Sequence, residues 1–386
     1  MKDYQYLQQK YLVNTYPNRG LVLTRGKGVY LYDQNEEKYL DMMSNYGVNI
    51  FGYNHPYLLE KLSDQLKKLI TLHCSFNNDT RAMSAEALVK RCAGGLTQVY
   101  FSNSGTEAIE AALKFAVLAT GKKKFIACNN AYHGKTLGAL SATSGEKYRA
   151  PFEPLFWNFK HIAYNNLLEL EKAIDDQTAA FIVEPVQGEG GIILPDDNYL
   201  TNVRKICDRA RILLILDEIQ TGVGRTGYFL ASEKEKISYD IVCLGKGLAG
   251  GIPIGASLVS QKVALKIPKL IHSSTLGGNP LACGGILAIL ELLDEKTLKK
   301  VGRLGDYFIQ QLKTVKLPLV KEIRGKGLMI GVELDDKRNE ILRQLQINKI
   351  LAIPAVENVV RFLPPYTIEK ENIDLVIKKL KEILNV

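Results

Sequence analysis

The 386 residues are 46% apolar and 24% charged, with 32 Gly and 13 Pro; this is ordinary globular usage and excludes disordered, collagenous and low-complexity chains. At roughly 150 residues per domain the length accommodates two to three domains, which can bury about three quarters of their surface without covalent staples. Fifty basic against 41 acidic residues leave +9, but the densest clusters, Lys122–Lys124 and Lys378–Lys379, lack interleaved aromatics and any DNA-reading motif, so they read as solvated faces and no nucleic-acid partner is expected.

The six cysteines, at 74, 92, 128, 207, 243 and 283, form no CxxC pair, and no His stands at zinc-finger spacing. Neither a metal site nor a disulfide framework is expected; several thiols lie in apolar runs and read as buried. The N-terminal MKDYQYLQQKY has no apolar signal core, and no run approaches the ~18 apolar residues of a membrane span. The expectation is a cytoplasmic protein without a membrane partner.

Along the chain, residues 21–32 form β-rich segments around Gly26-Lys27-Gly28, and Glu37–Met43 suggests a further strand. Helical periodicity follows at Pro56–Ile70 and Thr80–Cys92. Short apolar runs then alternate with helical patterns such as Ser104–Ala119 and Tyr199–Ala210. The runs are Gln98–Ser102, Lys124–Cys128, Ala179–Val183, Ile212–Leu216 and Asp240–Leu244. This alternation predicts an α/β fold with a mostly parallel central sheet, whose ligands lie beyond the carboxyl ends of the strands. Near Gly278–Gln311 the sequence turns into long helical pattern; a second, smaller unit is read from Gly327–Glu333, Arg338–Gln346, Val359–Leu363 and the amphipathic Glu369–Leu384.

Residues just past the strand ends therefore draw the functional reading. In SNSGTEA (102–108) Ser104 stands as an N-cap with Glu107 three residues on, a capping box; the same turn frees backbone N–H groups at a positive helix end and would suit an anion. The run ILLIL ends in Asp217, which is either a cap or a buried carboxylate awaiting a fixed cation such as a protonated ring nitrogen. GVGRTG (222–227) fits GxGxxG, but no helix opens inside it and it follows no first strand, so a dinucleotide site is rejected. A P-loop at Gly134-Lys135-Thr136 fails because Asn129 occupies the place of its first glycine. Lys246 lies in an uncharged glycine-rich turn after an apolar strand, where desolvation lowers an amine's pKa and favours Schiff-base chemistry, unless it is a surface lysine. A helix-end anion site, a strand-end Asp and a desolvated Lys together fit the needs of pyridoxal phosphate.

Eight blocks in order then resemble the class III, or ω-, aminotransferases of the fold-type-I pyridoxal phosphate enzymes: NSGTEA (103–108), YHGKTLGALSAT (132–143), VEPVQGEGG (183–191), LDEIQTGVGRTG (216–227), LGKG (244–247), SSTLGGNPLAC (273–283), RGKGLMIGVEL (324–334) and RFLPPY (361–366). The resemblance spans nearly the whole chain. It implies a large cofactor domain over 51–280, with a small α+β domain built from 1–50 and 281–386 and a linking helix near 278–295. It makes Lys246 the lysine that bonds the cofactor and later moves the proton, and sets Asp217 against the pyridine N–H. Gln220 would lie near the ring hydroxyl, with Tyr132 stacked on the ring and His133 beside it. Ser104, Gly105 and Thr106 would hold the phosphate, which Thr275 would reach from the neighbouring subunit, so a homodimer is implied.

On the substrate side the resemblance implies that Arg361 grips the α-carboxylate of glutamate and that Glu189 masks it when an ω-amine enters. Tyr16, Tyr46, Lys135 and Ser274 would contact substrate. Ping-pong transfer from a primary amine to 2-oxoglutarate or another 2-oxo acid follows. The short N-terminal segment and Tyr16 favour the acetylornithine and ornithine branch, whereas Lys135, in place of that branch's arginine, and KYRAPFEPL favour the diamine (putrescine) branch. A non-catalytic ligand-binding homologue is disfavoured by the retention of Lys246 and Asp217.

Overall fold

The computed structural model describes residues 3–92, 94–315, 319–356 and 358–384. Its centre is a seven-stranded sheet in the order Leu96–Ser102, Gly255–Ser260, Ile241–Leu244, Leu213–Asp217, Thr178–Val183, Lys124–Cys128, Asn158–Ile162. Only Gly255–Ser260 runs against its neighbours; the other pairings are parallel. The expected α/β architecture with a mostly parallel sheet is what forms.

Side-chain alternation explains why the inner strands read as continuous apolar runs. Phe181, Val183, Leu214, Leu216, Val242 and Leu244 enter one core, while Ala180, Ile182, Leu213, Ile215, Ile241 and Cys243 enter another on the opposite face. The second core is closed by the helix Gly105–Thr120, whose buried Ala108, Ala111, Ala112 and Ala116 let it lie close to the strands. Each fully covered strand residue contributes about 1.5–3 kcal/mol when it is a large aliphatic or aromatic.

Two strands of this sheet escaped the pattern reading. Asn158–Ile162 is an edge strand with polar residues on its open side, and Gly255–Ser260, although buried throughout, is written in Gly, Ala and Ser as much as in Leu and Val. The helical pattern after Gly278 forms two helices, Pro280–Leu292 and Glu295–Thr314. The break falls at Asp294, whose carboxylate accepts from the Thr297 N–H at 2.7 Å and starts a new helix without disturbing the apolar period.

The two ends of the chain meet in one sheet: Leu23–Lys27, Tyr30–Asp33 and Lys38–Asp41 are joined by Ile350–Leu351, parallel to the third strand. A further antiparallel sheet holds Val320–Lys326, Met329–Leu334, Val359–Phe362 and Ile353–Ala355. Between the N-terminal sheet and the first long helix, Ser44, Asn45, Tyr46 and Gly47 all have positive φ, from 42° to 86°. This left-handed turn is clamped by Asp41, which accepts from the Met43 and Ser44 N–H groups at 2.9 and 3.0 Å, and by the Ser44 hydroxyl donating to the Leu363 carbonyl. Among the described residues no helix is long and apolar enough to cross a membrane, and the six cysteines are unpaired, five of them buried.

Candidate active site

The site forms where the carboxyl ends of the central parallel strands meet the RFLPP segment. Asp217 ends its strand as a buried carboxylate and points one oxygen at His133 Nδ1, 2.7 Å away, while the other accepts from the Ile219 N–H at 3.0 Å. The cation that its burial demands is thus supplied first by the protein itself. Burial alone would lower the pKa of His133, but the hydrogen bond and charge of Asp217 outweigh it, so the imidazole is pushed above its usual range. The other ring nitrogen, Nε2, is buried without a partner among the described residues.

The next residue does different work. Glu218 faces the opposite side and accepts from Thr221 Oγ1, the Ala231 N–H, and both the N–H and hydroxyl of Ser232, stitching the 221–232 turn. Replacing Glu218 by Ala orphans those buried donors, and a loss of about 3–5 kcal/mol in denaturant melts is expected; a change under ~1 kcal/mol would show that the turn is held otherwise. The turn contains GVGRTG, in which no helix forms. Its Arg225 is fully buried and donates to the Leu328 and Pro364 carbonyls at 3.0 and 2.6 Å, anchoring the segment that follows Arg361.

Lys246 follows its strand by two residues and opens a short 3₁₀ turn with φ of 45°, a conformation seldom adopted outside Gly and Asn. Burial first, and the nearby Arg361 charge second, lower its amine to about 8, against the opposing pull of Asp217, Glu184 and Glu189. The desolvation inferred from sequence is present.

Around this amine the structure gathers most of the sequence candidates. Arg361, wholly buried, donates to Glu189 Oε2 at 2.7 Å, to Gln220 Oε1 at 3.2 Å and to the Pro354 carbonyl at 3.1 Å; its guanidinium lies 5.7 Å from the Tyr46 ring centroid. Glu189 is the more exposed partner, its side chain 31% accessible against 0% for Arg361. Tyr132 is held up to about 12 by burial and then by Glu189, Tyr148 and Tyr16; Tyr16 itself is 80% exposed on the single chain.

The anion-binding turn also forms. The Ser104 hydroxyl accepts from the Glu107 N–H at 3.3 Å, while Glu107 returns to the Asn103 N–H at 2.6 Å and not to that of Ser104 as a regular capping box would. The N–H groups of Gly105 and Thr106, first in their helix, have no partner among the described residues and face outward from its positive end. Thr106 Oγ1 meets Thr136 Oγ1 at 2.8 Å, and Gly134, at φ 140°, sits where a Cβ would fall 2.2 Å from Thr106 Oγ1, so only glycine lets this loop close over the turn.

Three candidates stand apart. Lys135 is exposed, with its ammonium 5.2 Å from the Tyr148 ring, and Tyr148 in turn meets Tyr132 edge-on at 5.8 Å. Ser274 takes a hydrogen bond from Asn103 Nδ2 at 3.2 Å and caps a turn with the Gly277 N–H, and Thr275 is exposed on that turn.

Comparison with known proteins places the chain in a family. The family described as Aminotransferase class-III matches residues 11–384. The chain belongs to the class III aminotransferases. It is 39% identical to the acetylornithine aminotransferase of Methanopyrus kandleri over 99% of both chains, and 41% identical to that of Aquifex aeolicus over 97% of this chain and all of the relative. The ornithine aminotransferase of Toxoplasma gondii superposes with a TM-score of 0.94 at 34% identity, covering 99% of this chain and 94% of that one. A class III aminotransferase is a transaminase, an enzyme that moves an amino group.

Two features of this aminotransferase were not singled out from its sequence. One is His133 as the direct partner of Asp217; the other is Glu184, buried at the end of Thr178–Val183. A carboxylate closing an all-apolar strand is the same signal that drew attention to Asp217.

Proposed function

We propose that the protein uses pyridoxal phosphate to move the ω-amino group of N-acetylornithine or an ornithine-like donor to 2-oxoglutarate, as a homodimer in the cytoplasm. The residues fit the cofactor: free N–H groups at a helix start suit its phosphate, Asp217 sets a buried carboxyl at the sheet mouth, and Lys246 is a desolvated amine without a hydrogen-bond partner among the described residues. When bound, that group supplies an electrophilic carbon and an electron-withdrawing ring.

The chain's own residues do the rest. Gly105 and Thr106 would grip the phosphate, with Ser104 holding their turn; Tyr132 would cover the ring, and Gln220 would sit near its hydroxyl. Asp217, fixed by its hydrogen bond to His133, would hold the ring N–H. Lys246, lowered to about 8, has a sizeable uncharged fraction near neutrality and can act as nucleophile and then carry the proton at the donor carbon. Tyr16 and Thr275, exposed on the single chain, would be covered by the second copy, with Thr275 reaching its phosphate and Ser274 nearby facing substrate.

The observation that carries the substrate reading is the Arg361–Glu189 pair. A buried guanidinium offers a planar grip for a carboxylate, and its more exposed Glu189 can close that grip when the incoming group is an amine. The relatives named above support the acetylornithine side. Lys135 supports a second reading, a diamine donor, because an ammonium is a poorer bidentate carboxylate partner than an arginine.

Adding N-acetylornithine, ornithine, putrescine and 4-aminobutyrate separately to the holoenzyme, without acceptor, decides between them. N-Acetylornithine is expected to bleach the cofactor absorbance fastest; putrescine ahead of it by tenfold in kcat/KM would replace the donor by a diamine, and no bleaching by any amine would refute the proposed function.

A further inference from the structure

Glu184 and Asp217 are neighbours by construction. Val183 pairs with Leu216 in the parallel ladder, so the carboxylates that follow them stand side by side at the mouth of the sheet. The mechanism uses Asp217 and leaves Glu184 unexplained, though burying a second carboxyl there is costly. Its two oxygens are each committed: Oε1 accepts from the Tyr132 N–H at 3.2 Å and Oε2 from the Gly188 N–H at 3.0 Å. The backbone under Glu184 is fixed as well, since the Tyr164 hydroxyl donates to the Glu184 and Pro185 carbonyls at 3.1 and 3.0 Å.

We infer that Glu184 is a positioning residue that ties the loop bearing Tyr132 and His133 to the loop bearing Glu189, so that the Arg361–Glu189 switch keeps register with the cofactor-side loop. The linkage can be followed atom by atom. Gly188 is so close to Gln220 that a Cβ on it would fall 2.6 Å from the Gln220 amide, Gln220 in turn accepts from Arg361, and Arg361 donates to Glu189, one residue beyond Gly188. Moving Gly188 therefore moves the two side-chain partners of Arg361, and Glu184 sets the height of Gly188 relative to Tyr132.

A carboxylate is needed because both of its arms must accept. Gln in the same volume can turn an oxygen toward only one N–H and sets its own NH₂ against the other. The groups around this carboxyl are His133, Asp217, Lys246, Cys128 and Tyr164. Burial foremost, with Asp217 adding to it, pushes Glu184 up to about 7 against the charge of His133, so the link is fully ionised only on the alkaline side of neutrality.

The inference rests on the proposed function for its second readout only. In Glu184→Gln apoprotein, amide hydrogen exchange across 129–136 and 185–191 is expected to rise in both loops together, by about tenfold. In the holoenzyme at pH 8 the ratio of the ω-amine to the glutamate half-reaction is expected to shift at least about fivefold, while the same ratio in wild type drifts toward that of the variant as pH falls through 7. Faster exchange in one loop alone, or an unchanged ratio in a folded variant, overturns the link. Should Glu184→Gln not fold, Glu184→Asp, which keeps the charge but reaches only one of the two N–H groups, is judged on the same readouts. If wild type converts no amine, the proposed function fails, and exchange in the two loops still decides whether Glu184 joins them.

Discussion

Replacing Lys246 by methionine is expected to stabilise the apoprotein by about 1–3 kcal/mol at pH 7 while reducing transamination at least ~10⁴-fold. The loss of activity follows from removing the desolvated amine at the sheet mouth. The gain in stability follows from the same desolvation. The folded protein holds the amine at about 8 where an unfolded chain has about 10.5, so below pH 8 the ammonium is carried in a setting that disfavours it. The sign of the pH dependence is fixed by this: the wild-type penalty is complete below 8 and fades as pH rises toward 10.5. Denaturant melts of both apoproteins from pH 7 to 10.5 check it. A gap that is absent at pH 7, or that widens as pH rises, refutes it.

Glu189→Ala has the second largest expected effect. Arg361 then keeps Gln220 and the Pro354 carbonyl but loses its one carboxylate partner among the described residues. The uncompensated guanidinium draws in any carboxylate, including the one on an amino-acid donor that should enter ω-amine first. The ω-amine half-reaction is expected to fall at least tenfold in kcat/KM, about 1.4 kcal/mol, with the glutamate half-reaction held or improved. Single-turnover absorbance changes with each donor measure both, and equal losses in the two would show that Glu189 supports the site without gating it.

Much of this was legible because the chemistry sits at strand ends. Apolar runs such as Ile212–Leu216 announce themselves by composition, and each points to the residue that follows. The register of Asp217 and Lys246 was therefore readable, and with it the α/β class. What stayed hidden depended on pairing across the chain. His133 is an ordinary residue of its block until the Lys124–Cys128 strand brings it, from 84 positions away, to Asp217. Lys135 is a substrate residue by resemblance, and what hydropathy could not foretell is its neighbour: its ammonium lies 5.2 Å from the Tyr148 ring, which in turn meets Tyr132 edge-on. Asn158–Ile162 could not be found by hydropathy, since an edge strand need bury only one side and half of its residues are polar.

The left-handed turn at Ser44–Gly47 bears on how such an enzyme can be given new substrates. A positive φ costs any side chain beyond glycine roughly 1–2 kcal/mol, with Asn and Asp favoured and β-branched residues worst. At position 46 that toll is already carried by tyrosine and is nearly the same for phenylalanine, leucine, methionine or glutamine. Directed evolution can therefore exchange the ring facing Arg361 among unbranched residues with little change in backbone cost, leaving library survivors to be sorted by what the side chain touches; valine and isoleucine should be rare among them for reasons unrelated to the substrate.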